Sequence, residues 1–309
     1  MFKIGVMMIS EEARLKFSNA GYRIVGNHSA IEICHWTKES LRAGRVCYKE
    51  KWHGIESHRC LEMTPTLLWC SHKCQFCWRP LKYTIYDEPK PDDPEEIIAG
   101  CIEARRNLLM GFKGNRKVNR TRLKEAIQPT SAAISLAGEP TLYPRISDLL
   151  EAFQKRNMMT FLVTNGTRPD RLANLDTEPT NLYLSLCAPN LETYHSIHRP
   201  IINNGCNQIM KTLEVMKRDN CRTVIRMTLM KGVNLNSIEQ YAELILKAEP
   251  DFIEPKGFMQ VGEAQQRLPR FMMPQHQEIV EFARNLATRL SYKVKDQHPE
   301  SRVVLLSKK

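Results

Sequence analysis

The chain has 309 residues, ten of them cysteine, with 42% hydrophobic and 26% charged residues, enough for a large core and too apolar for a disordered segment. Lys and Arg number 45 against 34 Asp and Glu, a formal charge of +11, which suits a polyanionic partner without requiring one. No apolar run approaches the roughly 18–20 residues of a membrane span, and the apolar run 4–9 is too short for a signal-peptide core, with Glu11 and Glu12 following at once. A cytoplasmic location is therefore expected, and in a reducing compartment clustered cysteines point to metal before disulfide.

Residues 1–63 show no regular alternation of strands and helices. They carry Cys34, Cys47 and Cys60, thirteen residues apart each time. That spacing is too wide for a generic cluster loop, and the residues alone leave this triad undetermined. A strand expected at 66–69 runs into Cys70-Ser71-His72-Lys73-Cys74-Gln75-Phe76-Cys77, a C-x₃-C-x₂-C run. Three thiolates from one tight loop suit three irons of a [4Fe–4S] cluster and leave the fourth iron open. Zinc is the alternative, although the run lacks the paired C-x₂-C of zinc ribbons.

A helix is expected at 94–109, with Pro94 at its start and Glu95-Glu96 behind it. Arg105, Arg106 and the stretch 113–124 form the densest basic segment, read as an exposed loop that contacts phosphate or only solvent. Strands at 132–136, 160–163, 181–186, 223–229 and 252–255 then alternate with helices at 146–155, 191–197 with 208–218, and 237–248. Ser237 is expected to cap the last of these. Six strands alternating with helices imply a parallel sheet, with its chemistry at the C-terminal strand ends. Ala137, Gly138, Glu139, Asn165 and Ser185 all lie at such ends. Arg226, inside the fifth strand, needs an acidic partner if buried.

The segment 274–309 reads as a helix (His276–Leu290) and two strand-like runs, 291–294 and 302–306, able to pair as a hairpin. Cys101, Cys187, Cys206 and Cys221 read as packing residues. His198-Arg199-Pro200 reads as a phosphate or substrate contact or a surface turn. Trp36, Trp52, Trp69, Trp78, Tyr83 and Tyr86 are candidates for stacking on a flipped-out base, for shielding a cluster or for filling core.

The cysteine run with Phe76 before its last Cys resembles the radical S-adenosylmethionine (SAM) enzymes. With Trp78-Arg79-Pro80, the upstream triad, Leu136-Ala137-Gly138-Glu139-Pro140-Thr141, Thr164-Asn165-Gly166, His198-Arg199-Pro200 and the run from Lys256 to Glu263, the chain resembles the archaeal tRNA 4-demethylwyosine synthases from about residue 34 to about residue 267. The resemblance implies an α/β fold: a partial (β/α)6 TIM-like barrel of the radical SAM type. It implies an N-terminal cluster-binding extension over 1–63, the barrel over 64–270 and a C-terminal helix and strand segment over 271–309.

The same resemblance implies two [4Fe–4S] clusters and SAM as cofactors. Cys70, Cys74 and Cys77 would hold the cluster whose open iron chelates SAM. Ala137-Gly138-Glu139 stands where the superfamily has Gly-Gly-Glu against the methionyl ammonium, the first Gly here being Ala. Asn165 and Ser185 suit the ribose or carboxylate of SAM, or plain turn capping. Cys34, Cys47 and Cys60 would hold a second cluster that binds pyruvate, and Lys49 would form a Schiff base with it, Lys51 being the competitor. The implied substrate is N1-methylguanosine beside the anticodon of tRNA(Phe). Its methyl hydrogen is lost to the 5′-deoxyadenosyl radical, and two carbons of pyruvate close the third ring. Eukaryotic relatives carry a flavodoxin-like domain in front that does not fit in 63 residues, so a separate flavodoxin- or ferredoxin-like electron donor is expected, and a monomer. A different radical SAM enzyme such as an activase, or a non-catalytic iron–sulfur RNA-binding protein, would have no use for the wide triad or for Gly138-Glu139 respectively.

Overall fold

The computed structural model describes residues 9–42, 44–217 and 220–308. The run 4–8, most of the segment weighed as a signal core, and Arg218, expected at a helix end, lie outside the described residues. The chain forms two compact units: Met1–Cys70 with Asp87–Leu162, and Ser71–Tyr86 with Val163–Lys309.

In the first unit α1 (Glu11–Asn19) starts at Ser10, whose side chain accepts from Ala13 N. β1 (Arg23–Val25) and β2 (Ser29–Glu32) pair antiparallel. The helices α2 (His35–Arg42) and α3 (Tyr48–His53) lead to β3 (Cys60–Thr64). β2 runs antiparallel to β3, whereas β3, β4 (Ser131–Ile134) and β5 (Met159–Thr164) are parallel. Between them lie α4 (Pro94–Met110), α5 (Arg120–Glu125) and α6 (Ile146–Gln154). α4 begins as its sequence dictates: Pro94 occupies the first turn and Asp93 accepts from Glu95 N at 2.9 Å.

The first parallel strand is Cys60–Thr64 and not 66–69, which form a loop. Pro65 has no ladder donor and stops the strand. Leu61 and Met63 are 0% exposed on one face of β3, while Cys60, Glu62 and Thr64 share the other. The strand was hidden because its second face is polar. It also means that the sheet begins inside the segment expected to be a separate extension. The basic stretch is an exposed turn only up to residue 118; Arg120–Glu125 is helical, and Val118 and Leu123 anchor it in a core with Ile33, Leu41 and Leu109.

The second unit continues with α7 (Pro169–Ala173), β6 (Asn181–Ser185), α8 (Leu191–His198), α9 (Gly205–Met216), β7 (Arg222–Leu229), α10 (Ile238–Ala248), β8 (Phe252–Gly257), α11 (His276–Leu290), β9 (Tyr292–His298) and β10 (Val303–Lys308). β6, β7 and β8 are parallel. β10 lies antiparallel between β8 and β9, so the expected hairpin exists and extends the sheet. With three parallel strands in each unit, the six-strand α/β reading holds. Ser237 does precede α10, but its side chain makes no cap; its hydroxyl donates to Asn236 instead. No described helix is long and apolar enough to cross a membrane.

Candidate active site

The first unit gathers the wide triad from three elements. Cys34 precedes α2, Cys47 is the N-cap residue of α3, and Cys60 opens β3. Ser57 ties them together: its hydroxyl accepts from Cys47 N at 2.8 Å, and its carbonyl accepts from the Thr37 hydroxyl at 2.9 Å. Thr37 N in turn donates to Cys34 Sγ at 3.4 Å. Ser57 N donates to Glu50 at 2.7 Å, which fixes the hub against α3.

Burial pushes the Cys34 thiol well up, and the nearby Glu62 and Cys60 add to the shift. Burial also raises Cys60, while Lys49 works against it. Thiols held neutral in this way ionise only against a cation, and metal ligation supplies one. Lys49 is 7% exposed, its Nζ lies 4.5 Å from the centre of the Phe161 ring, and its charge faces both Cys60 and Glu62. Lys51 is exposed. Glu62, half-buried on the Cys60 face of β3, has its carboxyl pushed up to about 7 by burial and then by Glu32, with Lys49 pulling it back. Three sulfurs among polar hydrogens and buried cations fit an iron–sulfur cluster better than a dry core.

The turn after β4 is built around Gly138. Its φ is +70°, and a Cβ there would lie 1.7 Å from Thr66 O and 2.7 Å from Trp69 O, so no other residue fits. Thr64 Oγ1 donates to Ala137 O, and Glu139 N donates to Trp69 O at 2.8 Å. Glu139 is 1% exposed and its Oε1 accepts from Thr141 N and Oγ1 at 3.1 and 2.6 Å. The carboxylate is thus oriented before any ligand arrives. Cys70, buried, ends the segment leading to the loop.

In the second unit Cys74 and Cys77 lie in a loop held from distant parts of the chain. His198 Nδ1 is 3.1 Å from Cys74 Sγ. Gln75 N donates to Ile197 O at 2.8 Å. Arg267 donates through Nε to Gln75 O at 3.0 Å and through Nη2 to Cys77 O. Asn165 donates to Ser71 Oγ at 2.9 Å and accepts from Thr167 N and Oγ1 at 3.0 and 2.8 Å. Its side chain therefore braces the cysteine loop. Ser185 ends β6, half-buried, in register with Arg226. Arg226 has the structural partner: its Nε donates to the buried Glu254 at 3.0 Å, which also accepts from Tyr183 OH at 2.9 Å.

Two sequence expectations change, for His198 and Arg105, and the open alternatives for the aromatics separate. His198 is 3% exposed against Cys74 and is no phosphate contact, although Arg199 beside it is exposed. Trp69 is 3% exposed and belongs to the core, whereas Trp78 and Tyr86 are 42% and 39% exposed. Arg105, grouped with the basic surface, is 0% exposed. Glu62, Ser57 and Arg267 went unnoticed in the sequence; only the alternation of Cys60, Glu62 and Thr64 could have flagged the first. No disulfide forms: all ten cysteines are free.

The sequence matches the radical SAM superfamily over residues 64–245 and a wyosine base formation family over 247–308. The S-adenosyl-L-methionine-dependent tRNA 4-demethylwyosine synthase of Pyrococcus abyssi is 51% identical over 96% of this chain and 88% of its own. Among solved structures, that of TYW1 with a lysine-pyruvate adduct bound superposes with a TM-score of 0.89 at 38% identity, over 97% of this chain and 96% of that one. A crystal structure of archaeal TYW1 superposes with a TM-score of 0.81 at 35% identity over the same shares.

Proposed function

The chain belongs to the radical SAM tRNA 4-demethylwyosine synthases, and from that premise we propose how its residues serve the reaction: N1-methylguanosine of tRNA(Phe) gains two carbons of pyruvate and becomes the tricyclic base. Cys70, Cys74 and Cys77 hold the first [4Fe–4S] cluster, and Cys34, Cys47 and Cys60 the second. When bound, the first cluster and SAM supply the electron and the carbon-centred radical that the methyl hydrogen requires. Gly138 lets the turn approach the methionyl group, and Glu139 accepts from its ammonium. Asn165 keeps the loop in place, and Ser185 contacts the ribose or carboxylate.

Lys49 Nζ is the amine that condenses with the pyruvate keto carbon, losing water, and Glu62 is the acid that faces it. Schiff-base formation proceeds through the deprotonated amine. The observation that carries this reading is the placement of Lys49, buried and facing Cys60 and Glu62, while Lys51 points to solvent. Of the six candidate aromatics, Trp78 and Tyr86 are the exposed ones and suit the displaced base. The protein acts as a cytoplasmic monomer and takes electrons from an external flavodoxin- or ferredoxin-like donor.

Anaerobic reconstitution tests the cluster count. Two four-iron clusters give about eight irons per chain; removing Cys34, Cys47 and Cys60 together should leave about half and preserve SAM cleavage while abolishing the tricyclic base. A wild-type protein that holds only half of the expected iron after full reconstitution sinks the second cluster. Borohydride should trap labelled pyruvate on wild type and not on Lys49→Ala, which should keep both clusters and make no product. If nothing is trapped on wild type and Lys49→Arg stays active, Lys49 is a charge partner, because a guanidinium forms no Schiff base.

A further inference from the structure

Arg105 is a buried cation that the reaction as described does not use. It sits in α4, 0% exposed, and its guanidinium is spread over three backbone carbonyls. Nε donates to Ala126 O at 2.9 Å, Nη1 to Cys60 O at 2.8 Å and Nη2 to His58 O at 2.6 Å. Among the described residues no carboxylate pairs with it. A guanidinium stays protonated in proteins, and a buried charge without a counter-charge is strongly unfavourable. Carbonyls take three of its five hydrogens but do not cancel its charge. The sulfurs that face it are those of Cys60 and Cys34, held neutral as buried thiols and anionic only once they ligate a metal.

We propose that Arg105 is a positioning residue for the second cluster: it clamps the carbonyls of His58 and Cys60, and its charge balances the thiolates of the Cys34, Cys47 and Cys60 site. A four-iron core carries less positive charge than three thiolates carry negative, so the loaded site is the missing counter-ion. Each electron added to that site increases the negative charge beside Arg105, so the guanidinium sets its potential upward. Arg267 supplies an internal parallel in the other unit. It clamps the carbonyls of Gln75 and Cys77, again the last cysteine of a run and the residue two before it, and its charge faces Cys77.

This inference rests on the second cluster proposed above, and the experiment separates the two. Full-length protein is reconstituted anaerobically as wild type, Arg105→Met and Arg105→Lys; iron is counted and each cluster is titrated by EPR potentiometry. Wild type should hold two clusters. Arg105→Met should lose the second cluster, or retain it at a more negative potential, while the first cluster and SAM cleavage persist. Arg105→Lys keeps the charge but cannot span three carbonyls; it should hold the second cluster near the wild-type potential. Only one cluster in wild type defeats the functional reading itself. Two clusters in wild type, with content and potential unchanged in Arg105→Met, defeat only the role of Arg105. Loss of the cluster in Arg105→Lys as complete as in Arg105→Met reduces the residue to a backbone tether and overturns the charge balance. If Arg105→Met fails to fold, the lysine variant decides alone, since the proposal requires its potential to match wild type.

Discussion

The wide triad and the compact one are supported in opposite ways. Cys34, Cys47 and Cys60 come from three elements but are bound by neighbours mostly within the same stretch: Thr37, Glu50 and Ser57. Cys74 and Cys77 share one loop, yet that loop is held by His198 and Arg267, far along the chain. A compact motif can be written in eight consecutive residues because the rest of the fold comes to it. A dispersed one must carry its own wiring, and the wiring has no signature.

The contrast predicts which substitutions act on which set. The largest effect should come from Arg267→Met. It removes two hydrogen bonds from a charged donor, each worth about 1.5–3 kcal/mol. Iron at the first cluster and SAM cleavage should fall at least about tenfold, with the second cluster intact. Equal loss from both clusters would show that the clamp serves the fold as a whole.

Ser57→Ala should act on the other set alone. It removes the hydroxyl acceptor of the half-buried Cys47 N–H, a hydrogen bond worth about 0.5–1.5 kcal/mol. Iron retention by the Cys34–Cys47–Cys60 site during chelator challenge should drop while SAM cleavage stays at the wild-type rate. A parallel loss of SAM cleavage would break the independence of the two sets.

A smaller effect is expected from His198→Phe, which keeps a ring but removes the hydrogen bond to Cys74. With the sulfur bound to iron, Nδ1–H is the donor, and hydrogen bonds to cluster sulfurs raise the potential. The first cluster should shift negative by on the order of tens of mV. An unchanged potential would assign His198 to packing against His72 and Tyr194.

The least effect on either cluster should follow from neutralising Lys113, Arg116, Lys117 and Arg120, all exposed. Binding to tRNA should weaken, and the slope of log K against log salt should fall by roughly 0.7–0.9 per lost phosphate contact. Iron content and SAM cleavage without tRNA should not move; if they do, the stretch supports the fold.

What the sequence disclosed follows the same division. The five parallel strands other than Cys60–Thr64, the helices α4, α6 and α8 to α11 and the C-terminal hairpin were legible because apolar periodicity and caps are local. β3 was missed because half of it is built from Cys60, Glu62 and Thr64, which no strand propensity favours as a group. Arg105 was misread because a charge pattern in sequence cannot say which arginine turns inward. Glu62 and Ser57 acquire meaning only through partners that the fold brings to them.

β3 also fixes a length. Cys60 opens the strand, and Thr64 closes it with its hydroxyl on the Ala137 carbonyl of the Gly138 turn. Four residue rises separate them, roughly 13 Å. On the proposed reading, a substrate that reacts with both a pyruvate held near Cys60 and a SAM held near the Gly138 turn would have to span that distance. The backbone would then be a gauge for the substrate. Inserting one residue in 60–64 would turn Cys60 to the opposite face. Inserting two would restore the face and lengthen the gap by roughly 7 Å, more than a methyl group on a planar base can bridge.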